Sequence, residues 1–157
     1  MDNITHEIII NDYCFLLRPA LDSDTDFIFK LLKENMLESF NRHWGFWNDK
    51  SFEKTHRINN IRIIEYETVR VGYIDFKFKS DCGYVNDIQL SEKFKGKGLG
   101  TFIMKLVEEE TLAHDLNRIC LKVFKDNRAV ELYKRLGYTS IFEDDTSLIM
   151  EKIIRKN

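Results

Sequence analysis

The stretch from Asp87 to Glu110 constrains this 157-residue chain more than any other. It places Gly96, Gly98 and Gly100, three of the seven glycines, within five positions. A short apolar alternation precedes them. A helical stripe follows at Leu99, Phe102, Ile103, Leu106 and Val107, the i, i+3, i+4, i+7, i+8 spacing of one buried helix face. The segment therefore reads as strand, glycine turn, amphipathic helix. A glycine turn that feeds a helix N-terminus presents free backbone N–H groups at the positive end of the helix dipole, and both attract phosphate. Lys93, Lys95 and Lys97 add three positive charges, which suits a ligand with several phosphates. Two common phosphate loops are excluded by spacing. No glycine is separated by four residues from a Gly-Lys-Ser/Thr, and the Gly-x-Gly-x-x-Gly fingerprint meets Thr101 or Ile103 where its last glycine belongs.

A second segment, Phe124 to Tyr138, has its own logic. Asp126 or Asn127 can cap a helix start, and Gly137 can supply the left-handed residue that ends it. Taken together, the two segments resemble the GNAT (GCN5-related) N-acetyltransferases. Lys95-Gly96-Lys97-Gly98-Leu99-Gly100 is similar to that family's acetyl-CoA pyrophosphate loop, Gln or Arg, two residues, Gly, one residue, Gly or Ala, with Lys95 departing from the first position. Asn127, then Ala129 two residues on, Tyr133 four after that and the Gly137-Tyr138 pair follow the family's downstream signature. The resemblance is nearly continuous from Tyr73 to the C-terminus and looser before it.

Composition sets the remaining bounds. At 18.7 kDa with 43% hydrophobic residues, the chain suits one domain, residues 1–157, around one core. A single proline and no low-complexity run argue against disorder or a linker. No apolar run approaches a membrane span, and the N-terminus lacks a signal-peptide core. Cys14, Cys82 and Cys120 fit no metal pattern, and Cys14 and Cys120 read as small core residues of strands. A reducing cytoplasm is the expected location. The net charge of -2 disfavours nucleic acid as a partner.

In chain order, Glu7–Ile10 and Tyr13–Arg18 read as strands, with Pro19 stopping the ladder and the Asp22-Ser23-Asp24 cluster capping a helix that runs to about Ser39. Residues 40–48, with Trp44 and Trp47, have no clean period and read as an aromatic loop that packs on the core or roofs an acceptor site. A second helix is expected from an Asp49 cap over roughly Lys50 to Ile58. Ile61–Tyr66, Val69–Lys79 and Tyr84–Leu90 are strands joined by turns at Glu67-Thr68 and Ser80 to Gly83. Arg118–Phe124, Thr139–Phe142 and Ser147–Ile154 complete the sheet. The fold class is α+β, a three-layer α/β/α arrangement. The sheet is mixed and mostly antiparallel, with helices on both faces.

What the resemblance implies is more specific. The fold is the acyl-CoA N-acyltransferase fold, in which a central strand pair splays apart and the pantetheine arm pairs with free backbone groups, here of Ile88 and Leu90. Acetyl-CoA is the co-substrate, held by Lys95, Gly96, Lys97, Gly98, Leu99, Gly100 and Thr101 and by Asn127, Ala129 and Tyr133. The Leu90 N–H would polarise the thioester carbonyl, and Tyr133 would protonate the departing thiolate. The family has no fixed base position. Asp87 is the first candidate, with Glu65, Asp75 and His43 behind it. The implied reaction is direct attack by a primary amine of a small molecule in a ternary complex, with no metal required. The alternatives are a protein or peptide acceptor and a non-catalytic acyl-CoA sensor. Nucleic acid and membrane are not expected partners, and the chain would be a monomer or homodimer.

Overall fold

Among the residues that the computed structural model describes, 5–45, 50 and 56–156, the period-two stretches become eight strands and the period-3.6 stretches become helices, three of which are described over their full length. The chain divides into two compact units, Met1–Asp75 with Asp87–Leu99, and Phe76–Asn86 with Gly100–Asn157. β4 and β5 contribute residues to both.

In the first unit the strand order is β1-β2-β3-β4-β5: β1 (His6–Ile10), β2 (Tyr13–Pro19), β3 (Ile61–Tyr66), β4 (Val69–Phe78) and β5 (Gly83–Leu90). β1–β2, β2–β3 and β3–β4 are antiparallel. Glu67 and Thr68 both take positive φ, 49° and 66°. That is the mirror-image turn whose twist matches its flanking strands. Pro19 is still in register with Arg62, and the chain leaves the sheet only after the Ala20 N–H has bonded the Ile61 carbonyl at 2.9 Å.

α1 (Thr25–Trp44) follows. The Asp24 carboxylate does not cap it. It takes the Leu21 N–H at 2.8 Å and the guanidinium groups of Arg18 at 2.8 Å and Arg70 at 3.1 Å. α1 also overruns the expected end at Ser39. Phe40 to Trp44 continue the helix, because Arg42 and His43 in its last turn complement the dipole and nothing breaks it until Gly45 at φ 78°, whose N–H bonds the Asn41 carbonyl. Residues 46–48 of the expected aromatic loop lie outside the described residues. So do the Asp49 cap and most of the expected second helix; Ile58–Asn60 is a 3₁₀ turn. α1 lays Ile28, Leu31 and Leu32 against Ile61, Ile63 and Tyr73.

In the second unit the order is β5-β6-β8-β7, with β6 (Arg118–Phe124), β7 (Thr139–Glu143) and β8 (Ser147–Ile153). β5 and β6 are parallel, in register only from Gly83–Ile119 to Val85–Leu121; β6–β8 and β7–β8 are antiparallel. α2 (Leu99–Ala113) and α3 (Ala129–Arg135) are helices of this part of the chain. α2 is rotated from the expected stripe. Leu99, Ile103, Met104 and Val107 are buried, whereas Phe102 is 36% exposed. Cys82 and Cys120 are buried, but Cys14 is exposed because strand alternation gives the inside of β2 to Phe15 and Leu17. The architecture is the expected α+β fold with a mixed, mostly antiparallel open sheet. Among the described residues no helix is long and apolar enough to cross a membrane.

Candidate active site

The glycine loop is built from an anchor outward. After β5, Glu92–Phe94 forms a 3₁₀ turn that buries the Phe94 ring edge-on against Phe15, centroids 5.8 Å apart, and beside Tyr66 at 5.5 Å. Burial of one aromatic side chain stabilises by about 2–3 kcal/mol, so the turn is tied to β2 and β3 before the loop begins. Lys95 is extended, Gly96 has φ 73°, Gly98 has φ 88°, and α2 starts at Leu99. No atom lies within 4 Å of where a Gly96 Cβ would stand, so its backbone dihedral, not crowding, demands glycine there. The Lys95 ammonium is 3.0 Å from Glu92, and that of Lys97 stands 5.3 Å from the centre of the Tyr13 ring. Exposed main chain, basic side chains and a helix start are what a diphosphate needs.

Just upstream, β5 carries a polar chain. Tyr73 on β4 is fully buried and donates its hydroxyl proton to Asp87 Oδ2 at 2.5 Å. Burial, and then the charge of Asp87, push the Tyr73 hydroxyl well above the usual phenol range, so it stays a donor. His56 Nε2 lies 3.0 Å from the same Oδ2. Gln89 Nε2 donates to Asp87 Oδ1 at 2.7 Å, and Asn35 Nδ2 on α1 lies 3.0 Å from both Gln89 Oε1 and the Leu90 carbonyl. Asp87 is thus a half-buried, multiply bonded carboxylate. Of the other base candidates, Glu65 is ion-paired with Arg18 at 2.7 Å and Asp75 is buried. His43 lies in the last turn of α1. Asn35, His56, Tyr73 and Gln89 escaped sequence reasoning. The shared parity of Asp87 and Gln89 on one strand was a usable signal; His56 has no periodic context.

In the second unit, Asn127 Oδ1 accepts the Ala129 N–H at 2.9 Å and the Asn127 carbonyl accepts the Val130 N–H, which starts α3. Gly100 lies in the first turn of α2, where a Cβ would come 3.2 Å from Leu132 Cδ2; Thr101 beside it is half-buried. Tyr133 is 7% exposed, its ring 5.9 Å from that of Tyr138. Gly137 at φ 94° ends the segment as expected. Within the first unit the structure therefore brings Asp87, Ile88 and Leu90 onto one strand that leads into Lys95 to Leu99. Within the second it joins Asn127 to Ala129 and seats Gly100 against α3.

Comparison with known proteins gives a consistent result. The acetyltransferase (GNAT) family model matches residues 25–138. The uncharacterized N-acetyltransferase YobR of Bacillus subtilis (strain 168) is 34% identical over 62 residues, 39% of this chain and 25% of that protein. The chain thus matches only a quarter of that relative's length. Among solved structures, a GNAT-family acetyltransferase from Listeria monocytogenes superposes with a TM-score of 0.71 at 17% identity, covering 95% of this chain and 100% of that one. The PaiA N-acetyltransferase of Thermoplasma acidophilum in complex with coenzyme A gives 0.70 at 14% identity, covering 88% and 98%. The ribosomal-protein-S18-alanine N-acetyltransferase of Escherichia coli gives 0.68 at 15% identity, covering 91% and 96%. At these identities the structural likeness establishes the fold alone.

Proposed function

This chain belongs to the acetyltransferase (GNAT) family, and on that premise we propose that it moves an acetyl group from acetyl-CoA to a primary amine of a small molecule by direct attack in a ternary complex. The observation that carries the reading is the pair of left-handed glycines, Gly96 and Gly98, running straight into α2. Main-chain donors from Gly96 to Thr101, with the Lys95 and Lys97 side chains, hold the diphosphate. Asn127 and Ala129 bind the cofactor from the start of α3. The backbone of Ile88 and Leu90 receives the pantetheine arm, and the Leu90 N–H stabilises negative charge on the thioester oxygen.

In the reaction the acceptor nitrogen bonds to the acetyl carbon and the carbon–sulfur bond breaks. Asp87, with His56 hydrogen-bonded to it, takes the proton that the amine sheds. Tyr133 donates its proton to the thiolate of coenzyme A and is restored from solvent. Three free thiols, Cys14, Cys82 and Cys120, support a reducing compartment, and we assign the protein to the cytoplasm. The test is incubation with acetyl-CoA and a panel of small amines and short peptides, followed by mass detection of products and assay of free CoA. The reading expects an acetylated small amine and free CoA in equal amounts. Acetylation of peptides alone would move the acceptor to the protein class, and acetyl-CoA binding without any product would make the chain a sensor.

A further inference from the structure

The polar chain along β5 ends on a particular backbone group. The Ser91 N–H bonds the Val71 carbonyl on β4 at 2.8 Å. Strand alternation then turns the N–H and C=O of Leu90 to the opposite edge of β5. Of those two groups the carbonyl is engaged by Asn35, whose Nδ2 stands 3.0 Å away. The peptide that follows Leu90 is therefore clamped at both ends, by Val71 and by Asn35. The Leu90 side chain is held as well, since it rests where a Gly72 Cβ would be, 2.8 Å from Leu90 Cδ2.

The direction of the chain is set by its charged end. An ionised carboxylate only accepts, so Asp87 Oδ1 draws the amide NH₂ of Gln89, at 2.7 Å. Gln89 Oε1 is thereby turned to Asn35, which must meet it with its own NH₂, at 3.0 Å. The second proton of that NH₂ is left for the Leu90 carbonyl. Gln89 is 8% exposed, and a buried polar chain whose members are hydrogen-bonded to one another is held rigidly.

We propose that Asn35 is a positioning residue for the Leu90 N–H: it occupies the neighbouring carbonyl, fixes the strand end, and keeps an acceptor dipole from opposing the charge that develops on the thioester oxygen. This rests on the acetyl-transfer reading above. The experiment compares wild type with Asn35→Ala and Asn35→Asp, measuring kcat, the KM for acetyl-CoA, CoA affinity by calorimetry, and the infrared carbonyl stretch of bound carbon-13 acetyl-CoA. Asn35→Ala loses kcat about tenfold, the scale of one hydrogen bond, with KM and CoA affinity within about twofold of wild type. Its bound thioester band moves toward the free-solution frequency. Asn35→Asp, with no donor, loses more. Should Asn35→Ala fail to fold, Asn35→Ser, which keeps a hydroxyl donor, is expected to show the same split at smaller size. A wild-type band in the Ala or Ser variant, an unchanged kcat, or a loss shared equally by CoA affinity overturns the inference. If wild type itself shows neither turnover nor a shifted band, the acetyl-transfer reading is what has failed.

Discussion

In the proposed reaction Tyr133 and Asp87 carry the two proton transfers. Tyr133 is 7% exposed on a short helix, and its ring lies beside Tyr138, whose hydroxyl is held protonated by burial and then by the nearby Glu108 charge. Tyr133→Phe is predicted to lower kcat about 10²- to 10⁴-fold, the usual range for one acid catalyst, while CoA binding stays intact. Full turnover by that variant removes Tyr133 from the mechanism. Asp87 has Tyr73, Gln89 and His56 around its two oxygens. In Asp87→Asn the low-pH limb of kcat/KM is expected to disappear or move; an unchanged limb assigns the base elsewhere. Both candidates came from the resemblance to the GNAT family, Tyr133 through its match to the downstream signature and Asp87 as a carboxylate beside the strand that leads into the loop. Asn35 and His56 were not legible in the sequence. They reach β5 from distant positions in the chain, and no period or motif in one sequence encodes a contact of that sort.

At the level of elements, turns were read best, because their cause is local. Glu67-Thr68 and Gly137 sit where left-handed backbone was required, and Arg118–Phe124 forms the strand with the expected bounds. Elements whose limits depend on an absent stop signal were read worst. α1 passes Ser39 since no residue there opposes it, and α2 turns Met104 inward and Phe102 outward because burial is decided by the neighbours of a helix as well as by its period. The glycine loop belongs with the legible elements, and it carries a prediction. Gly98→Ala forces a side chain into φ 88°, at a cost of about 1–2 kcal/mol. The expected result is a lower unfolding midpoint in denaturant together with a raised acetyl-CoA KM, and kcat held near wild type at saturation. A stability loss with unaltered KM would separate the loop from the ligand.

For the molecule as a whole, the acetyltransferase (GNAT) family model spans residues 25–138, so the family is shown, and the acetyl transfer proposed above is tested by product analysis. Stability carries a separate prediction. Hydrogen bonding to Arg18, opposed by burial and aided by the Leu21 N–H, lowers the Asp24 carboxyl to about 2. A carboxyl depressed on folding contributes stability that is fully present above its ordinary value near 4, and that is lost as pH falls through its folded value. The difference amounts to about 2 kcal/mol. Asp24→Asn is therefore expected to flatten the acid limb of the unfolding curve between about pH 4 and pH 2, besides lowering stability at neutral pH. An acid limb identical to wild type would show that the Arg18 pair contributes nothing there.

All the functional assignments depend on the loop from Gly96 to Thr101 gripping a diphosphate, and calorimetric titration of the purified chain with CoA tests that most directly. A diphosphate grip there predicts one site per chain, with a dissociation constant in the range of ordinary enzyme substrates, about 1 μM to 1 mM. Neither heat nor competition with CoA or acetyl-CoA, from a chain shown to be folded, would contradict it.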